Sequence, residues 1–98
     1  MTDPHAPLRD RVLSSVLDGV AETDRSLRHA AASGVGVPAD IEPLVAKIHA
    51  NAYRVTDDDV AGPQAKHGDD AVFEIIVSAA LGASRRRLLA GLAALDQA

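Results

Sequence analysis

The stretch from Thr56 to Leu95 constrains the fold of this chain most. It begins with a capped acidic turn, continues as a long apolar segment and then reaches the basic run Arg85–Arg87. Between residues 72 and 83 only Glu74 and Ser78 interrupt the aliphatic side chains, and they share one helical stripe because they are four residues apart. The remaining faces of such a helix are apolar and must be buried against other parts of a protein. In a chain of 98 residues this predicts that part of the apolar surface is buried against a partner chain.

Composition restricts the kind of core that can form. Apolar residues make up 47% of the chain and aromatic residues 2%, so Ala, Leu, Val and Ile must fill the interior. Small aliphatic side chains favour closely approaching helices, and the strong periodicities of the sequence are helical. The sequence predicts a single all-α domain over residues 1–98, a small bundle of about five helices with a long C-terminal helix, which forms an oligomer.

The first half of the chain predicts three helices. Residues 1–6 are expected to be a flexible end, and a first helix covers residues 7–18 with its apolar side chains on one stripe. Thr23 is the expected N-cap of a short, Ala-rich second helix. The glycines and proline of residues 33–38 predict a linker, after which Asp40 is expected to cap a third helix.

The second half predicts two more helices. Thr56 and Asp59 have the spacing of a capping box, which predicts the start of a fourth helix. The Gly62-Pro63 pair is expected to interrupt this helix early and limit it to a few turns, since proline lacks a backbone donor, and Gly68 is expected to end it. Asp69 or Asp70 is expected to cap a fifth helix, which spans 26 residues or roughly 39 Å if it is unbroken from Asp70 to Leu95.

Charge and residue usage exclude several classes of function. A net charge of −4 repels phosphate backbones, so nucleic-acid binding is not expected. The absence of cysteine removes disulfides, thiolate chemistry and cysteine metal sites. The chain has no apolar run of about 18 residues and its first residues do not form a secretory signal, which predicts a cytoplasmic protein without a membrane span. No cofactor is expected.

Two segments carry a family resemblance. Residues 51–60, Asn-Ala-Tyr-Arg-Val-Thr-Asp-Asp-Asp-Val, precede residues 68–82, which open with Gly-Asp-Asp-Ala-Val-Phe-Glu and end with Ser-Ala-Ala-Leu-Gly. They resemble the C-terminal part of peroxidase-related proteins of the alkylhydroperoxidase D-like (AhpD-like), carboxymuconolactone decarboxylase superfamily. There a Y/W-x-V-T-D-x-D-V turn precedes a short helix, a glycine and a long helix. The resemblance covers about the last half of the chain and implies an all-helical fold and an oligomeric habit.

The resemblance also shows a departure from that family. Its catalytic members carry a Cys-x-x-Cys pair with a nearby His and Glu, and this chain has no cysteine. The attacking species in that chemistry is a thiolate, so thiol peroxidase activity does not carry over to this chain. The resemblance therefore implies a shortened relative without the redox pair.

Glu74 and His49 are the candidate catalytic residues. A carboxylate on an apolar helix is expected to be partly desolvated, which raises its pKa toward a value suited to proton transfer. His49 lies four residues before Tyr53, so the two could meet on one face if the third helix extends that far. In the simpler interpretation Glu74 faces solvent or pairs with an arginine, and His49 is structural.

The fifth helix supplies the remaining candidates. Arg85, Arg86 and Arg87 point about 100° apart around the helix, so they form either an anion site or a solvated helix end with inter-subunit salt bridges. The four histidines lie in separate segments, and helix initiation explains the aspartates at 57–59, so no metal site is expected. The residues predicted to contact a partner are Val72, Ile76, Ala79, Gly82, Leu88 and Leu92.

These observations favour a structural or interaction subunit that packs its fifth helix against partner helices. The partner is either a second copy or a related helical chain. One alternative is a small enzyme that uses Glu74 with an arginine or His49 to move protons on a small organic acid. Another is a ligand-binding or regulatory module, for which an apolar cavity between the third and fifth helices would be the sign.

Overall fold

The computed structural model describes residues 4–97, and within that range the chain is all-helical. Residues 1–3, which belong to the predicted flexible end, lie outside the described residues. The helices follow in chain order as α1 (Ala6–Asp18), α2 (Arg25–Ser33), α3 (Glu42–Asn51), α4 (Asp57–His67) and α5 (Asp69–Gln97). A short 3-10 turn, Ala52–Arg54, follows α3. The prediction of an all-α chain with five helices and a long last one is confirmed.

Helix α5 forms the axis of the molecule. It is 29 residues long, or about 43 Å at the usual rise per residue, and α1, α2, α3 and α4 all pack against it. The core lies between α2, α3 and the first half of α5 and is built from aliphatic side chains, as the composition predicts. Its buried members are Ala31, Ile41, Leu44, Val45, Ile48, Val72, Ile75 and Ala79.

Helix α1 runs antiparallel to α5 along one side of the molecule. Leu8 lies in the same groove as Leu88, whereas Val16, two turns later in α1, shares a cavity with Val77, three turns earlier in α5. The last part of α5, residues 88–97, is named here the overhang. Its side chains are exposed except for that of Leu92, which is half-buried.

Two predicted helix caps lie elsewhere. The N-cap of α2 is Asp24 instead of Thr23, because the buried Thr23 side chain is hydrogen-bonded to Glu74 on α5. The N-cap of α3 is Ile41 instead of Asp40, and the Asp40 carboxylate instead pairs with residues at the end of α4. In both cases a tertiary contact takes the side chain away from its local helix end.

Helix α4 starts and ends where the sequence predicts, but the expected interruption at Pro63 is wrong. Thr56 and Asp59 form the reciprocal capping box. Pro63 does not interrupt the helix, which continues to His67. The donor that Pro63 lacks would bond the carbonyl of Asp59 in the first turn, so a single bond near the helix end is lost. Gly68, with a φ of 87°, then separates α4 from α5.

No helix within residues 4–97 combines the length and the apolar character that crossing a membrane requires.

Candidate functional site

Glu74 joins α5 to the loop between α1 and α2. Its carboxylate accepts three hydrogen bonds: from the backbone N–H of Glu22 at 3.0 Å, from the backbone N–H of Thr23 at 2.8 Å and from the Thr23 hydroxyl at 2.7 Å. All three donors lie more than fifty residues before Glu74 in the chain. The carboxylate therefore positions this loop on α5.

These hydrogen bonds set the protonation state of Glu74. Burial raises the pKa of its carboxyl group, but the bonds from the Thr23 hydroxyl and the two backbone N–H groups, with the nearby charge of Arg28, outweigh it. The net pKa of Glu74 lies below its ordinary value of 4.5. The sequence predicted a raised pKa, and the structure gives the opposite direction because the loop between α1 and α2 supplies hydrogen-bond donors to the carboxylate.

Arg28 is the buried cation beside this carboxylate. It is 4% exposed and donates from Nη1 to the carbonyl oxygen of Val16 at 2.8 Å, so it also holds α2 to α1. Arg28, Glu74 and Ser78 border a largely apolar cavity of about 200 Å³. Within residues 4–97, neither Arg28 Nε nor the fully buried Ser78 Oγ has a hydrogen-bond partner.

His49 is hydrogen-bonded to the end of α2. Its Nε2 lies 2.7 Å from the carbonyl oxygen of Ala31, and because a carbonyl can only accept, Nε2 is the protonated ring nitrogen. Ala31 is in the last turn of α2, where carbonyl groups have no partner within the helix. The side chain of Tyr53, which the sequence placed near His49, is 84% exposed in the 3-10 turn.

The three consecutive arginines contact their own chain. Arg87 donates to the carbonyl oxygen of His49 at 2.6 Å, and Arg86 approaches the same oxygen at 3.4 Å. Arg85 lies 3.7 Å from the carboxylate of Asp10 on α1. Arg86 and Arg87 thus hold the C-terminal end of α3, and Arg85 holds α1. The anion site at these arginines stays a prediction.

The six residues predicted to contact a partner separate into two groups. Val72 and Ala79 are buried in the core, Ile76 packs against it, and Gly82 faces the backbone of α2. These four pack within the chain. Leu88 and Leu92 lie on the overhang, where Leu88 is 40% exposed. Val72 and Ala79 therefore have almost no surface for another chain, Ile76 and Gly82 are partly exposed, and the contact of all six with a partner stays a prediction.

A largely apolar groove lies between α1 and α5. It has a volume of about 310 Å³, and Leu8 and Val12 of α1 face Leu81 and Leu88 of α5 across it. Leu8 and Val12 are 57% and 50% exposed. The basic residues Arg9 and Arg85 also border it. We refer to this feature as the α1–α5 groove.

This groove was not among the predicted features, although the sequence contains a signal for it. Leu81, Leu88 and Leu95 recur every seven residues, and Leu92 completes a three-and-four spacing on the same stripe. Continued past the last core residue, this stripe indicates a helix face that needs a partner. The α1 residues across the groove belong to the apolar stripe predicted for the first helix, and most of that stripe is not buried.

Comparisons with known proteins add no relatives: no family model, curated protein or solved structure matches this chain. The resemblance to AhpD-like proteins therefore stays a prediction. In the described part of the chain, no group of three His, Asp or Glu side chains is placed to hold a metal ion.

Proposed function

We propose that this chain is an assembly subunit without redox chemistry, which self-associates through the α1–α5 groove and the overhang. The observation that carries the proposal is a set of exposed large apolar side chains at one end of the molecule. They are Leu8, Val12, Leu88, Leu89 and Leu95. A soluble monomer rarely exposes a continuous apolar patch of more than a few hundred Å², and larger patches mark interaction sites.

The exposure of the apolar side chains of α1 also supports self-association. Its apolar side chains repeat on one stripe, yet Leu17 is its single fully buried residue within the described chain. Packing against α5 therefore uses a small part of this stripe. A second protein on the groove would cover the exposed part of the stripe, at Leu8 and Val12, at roughly 25 cal/mol for each Å² of apolar surface removed from water.

The two alternatives have less support. The Glu74 carboxylate is held ionised by three donors from its own chain, which suits an anchor better than a proton-transfer group. The sign expected of a ligand-binding module is an apolar cavity between α3 and α5. The buried side chains that α3 and α5 place between them instead form the core, and they include Val45, Ile48, Val72 and Ile75. An apolar groove of about 310 Å³ instead borders α1 and extends toward the exposed end of α5.

Molar mass in solution tests the proposal. Size-exclusion chromatography with light scattering should give at least twice the 10.2 kDa mass of one chain at concentrations near 100 µM. Leu88→Glu should shift the mass to that of one chain, because it places a charge in the groove. Val35→Glu is the matched control, since Val35 is 75% exposed in the linker after α2, and it should leave the mass unchanged.

Far-UV circular dichroism shows whether each variant keeps its helices. A wild-type chain with the mass of one copy at all concentrations up to 1 mM would overturn the proposal.

A further inference from the structure

We infer that α1 is a detachable strap, which opens as one unit about a hinge at residues 19–21 while α2–α5 stay folded. Opening uncovers the buried guanidinium group of Arg28 and the face of α5 that lies beneath α1. This motion belongs to a single chain and is independent of the proposed self-association.

Helix α1 is loosely packed against the rest of the chain. Within the described residues, Leu17 is its single fully buried member. The other side chains of its apolar stripe border open space: Leu8, Val12 and Leu13 line the α1–α5 groove, and Val16 lines the cavity of about 200 Å³. Leu13 also borders an opening of about 350 Å³ between α1, α2 and α5. Because well-packed interiors leave few voids larger than a water molecule, α1 gains little from apolar contact.

Exposed ion pairs contribute to holding α1 in place. The carboxylate of Asp18 lies 2.5 Å from Nε2 of His29 and 3.8 Å from Nε of Arg25, both on α2. Nearer the start of α1, the carboxylate of Asp10 lies 3.7 Å from Arg85 on α5. The side chains of Asp10 and Asp18 are 60% and 38% exposed. Ion pairs at such positions are weak and are screened by salt, so they close the strap without locking it.

The buried Arg28 favours the open state. Within residues 4–97 its guanidinium group has no ion-pair partner and its Nε has no acceptor, and the side chain is 4% exposed. The nearby carboxylate of Glu74 is instead bonded to the loop before α2. Burial of a charge without a partner of opposite charge costs free energy. Opening of α1 gives up the bond from Arg28 to the carbonyl of Val16 and returns water to the guanidinium group.

The Glu74 anchor confines the hinge to a short segment. The backbone N–H groups of Glu22 and Thr23 are bonded to Glu74, so this part of the loop stays on α5 when α1 leaves. Residues 19–21 lie between the anchor and the end of α1, and Val20 and Ala21 are exposed. A change of backbone angles in these three residues therefore moves α1 without moving α2.

Native-state hydrogen exchange in urea tests this motion, at the lowest protein concentration that the measurement allows. The amides of residues 10–17 should exchange roughly 100-fold faster than those of residues 72–83, in the first half of α5. They should also share one opening free energy that depends weakly on urea, because opening exposes much less surface than global unfolding does.

Two results would overturn the strap. If exchange in α1 has the same urea dependence as exchange in the first half of α5, α1 unfolds together with the whole chain. If the opening free energy rises gradually from residue 10 to residue 17, the helix frays from its end and does not open as a unit. Neither result bears on the mass measurement that tests self-association.

A matched pair of histidine substitutions tests the latch. His29→Ala removes the contact with Asp18 from the α2 side and should speed exchange of residues 10–17 by about threefold, with no change at residues 72–83. His67→Ala is the control, because His67 likewise pairs with an aspartate, Asp40, on another segment and does not contact α1. It should leave exchange in α1 unchanged. Equal effects of the two substitutions on α1, with helicity intact, would overturn the role of the Asp18–His29 pair.

Salt gives a second measurement of the same latch. Raising sodium chloride from about 0.05 M to about 1 M should speed exchange in α1 several-fold relative to α2, because salt screens the exposed pairs of Asp10 and Asp18. The response should be smaller in His29→Ala, which has already lost one of these contacts. An α1 exchange rate that is insensitive to salt would overturn the electrostatic latch.

Discussion

A Cβ atom on Gly82 would lie 2.0 Å from the carbonyl oxygen of Ala32, so α5 and α2 touch backbone to backbone at this point. Helices normally pack 8–10 Å apart because side chains separate them. Here glycine removes the separation on one side, and the small Ala31 next to the contact is fully buried. This crossing brings α2 close enough to α5 for Thr23 to reach Glu74.

The close crossing predicts a strong effect of a single methyl group. Gly82→Ala should destabilise the fold by about 2 kcal/mol, because the overlap with backbone requires the two helices to move apart. Gly91→Ala is the matched control, since it adds the same group to the same helix in open space. Measured by urea denaturation at a concentration where the chain is monomeric, the control should gain up to about 1 kcal/mol from helix propensity. Equal effects of the two changes would contradict the packing argument.

The Glu74 anchor predicts a loss of stability when its charge is removed. Glu74→Gln keeps the shape of the side chain but weakens three hydrogen bonds, and should reduce the free energy of unfolding at pH 7 by about 1 kcal/mol, a value discounted for partial exposure. Glu22→Gln is the control, because Glu22 contributes its backbone N–H to the site and not its carboxylate. We expect this control to remain within about 0.5 kcal/mol of wild type.

The same anchor predicts how stability depends on pH. The pKa of Glu74 is lower in the folded chain than its ordinary value of 4.5, so the folded state releases this proton more readily than the unfolded state does. The stabilisation is therefore complete above about pH 5 and is lost as the pH falls through the folded pKa. The difference between wild type and Glu74→Gln should shrink below pH 4.5 in acid titrations followed by circular dichroism. A difference that grows on acidification would show that the pKa is raised instead.

Ser78 predicts a stabilising substitution. Its hydroxyl is fully buried and has no hydrogen-bond partner within the described residues, which costs free energy. Ser78→Ala removes this group and improves helix propensity, so thermal and urea denaturation should show a gain of about 1 kcal/mol. Ser15→Ala, at an exposed position of α1, isolates the propensity effect and should gain less. An equal gain at both positions would mean that the buried hydroxyl carries no penalty.

The sequence predicted those parts of the fold that depend on near neighbours. The Thr56–Asp59 capping box joins residues three apart, and the unbroken α5 follows from a continuous helical pattern, so both were accessible locally. Thr23 was expected to cap a helix because that is its usual local role. Its actual partner, Glu74, lies 51 residues away, and no periodicity relates the two.

The candidate site shows the same division between local and tertiary information. Leu88 and Leu92 were predicted to contact a partner because they follow an apolar pattern, and this stays a prediction. The groove itself was not, because it requires α1 to lie antiparallel to α5. The pKa of Glu74 was predicted in the wrong direction because an apolar helix indicates desolvation but does not reveal donors supplied by a distant loop.

His49 gives the last prediction, which concerns the ends of α2 and α3. Its ring donates to the carbonyl of Ala31, and its own carbonyl accepts from Arg87, so one residue connects α2, α3 and α5. His49→Ala removes the ring bond and its packing against Gly34, and leaves a buried carbonyl without this donor. We expect a loss of about 1–2 kcal/mol in urea denaturation and faster amide exchange across residues 30–35.

The hydrogen bond from the Arg87 side chain should survive this change, since it is accepted by the backbone carbonyl of residue 49. Amide exchange at the end of α3 should therefore change much less than exchange at the end of α2. His29→Ala is the control, because the exposed His29 pairs with Asp18 at the surface and should have little effect on either region. If both helix ends loosen equally in His49→Ala, the histidine acts through general packing, and its specific bond to Ala31 is not what holds α2.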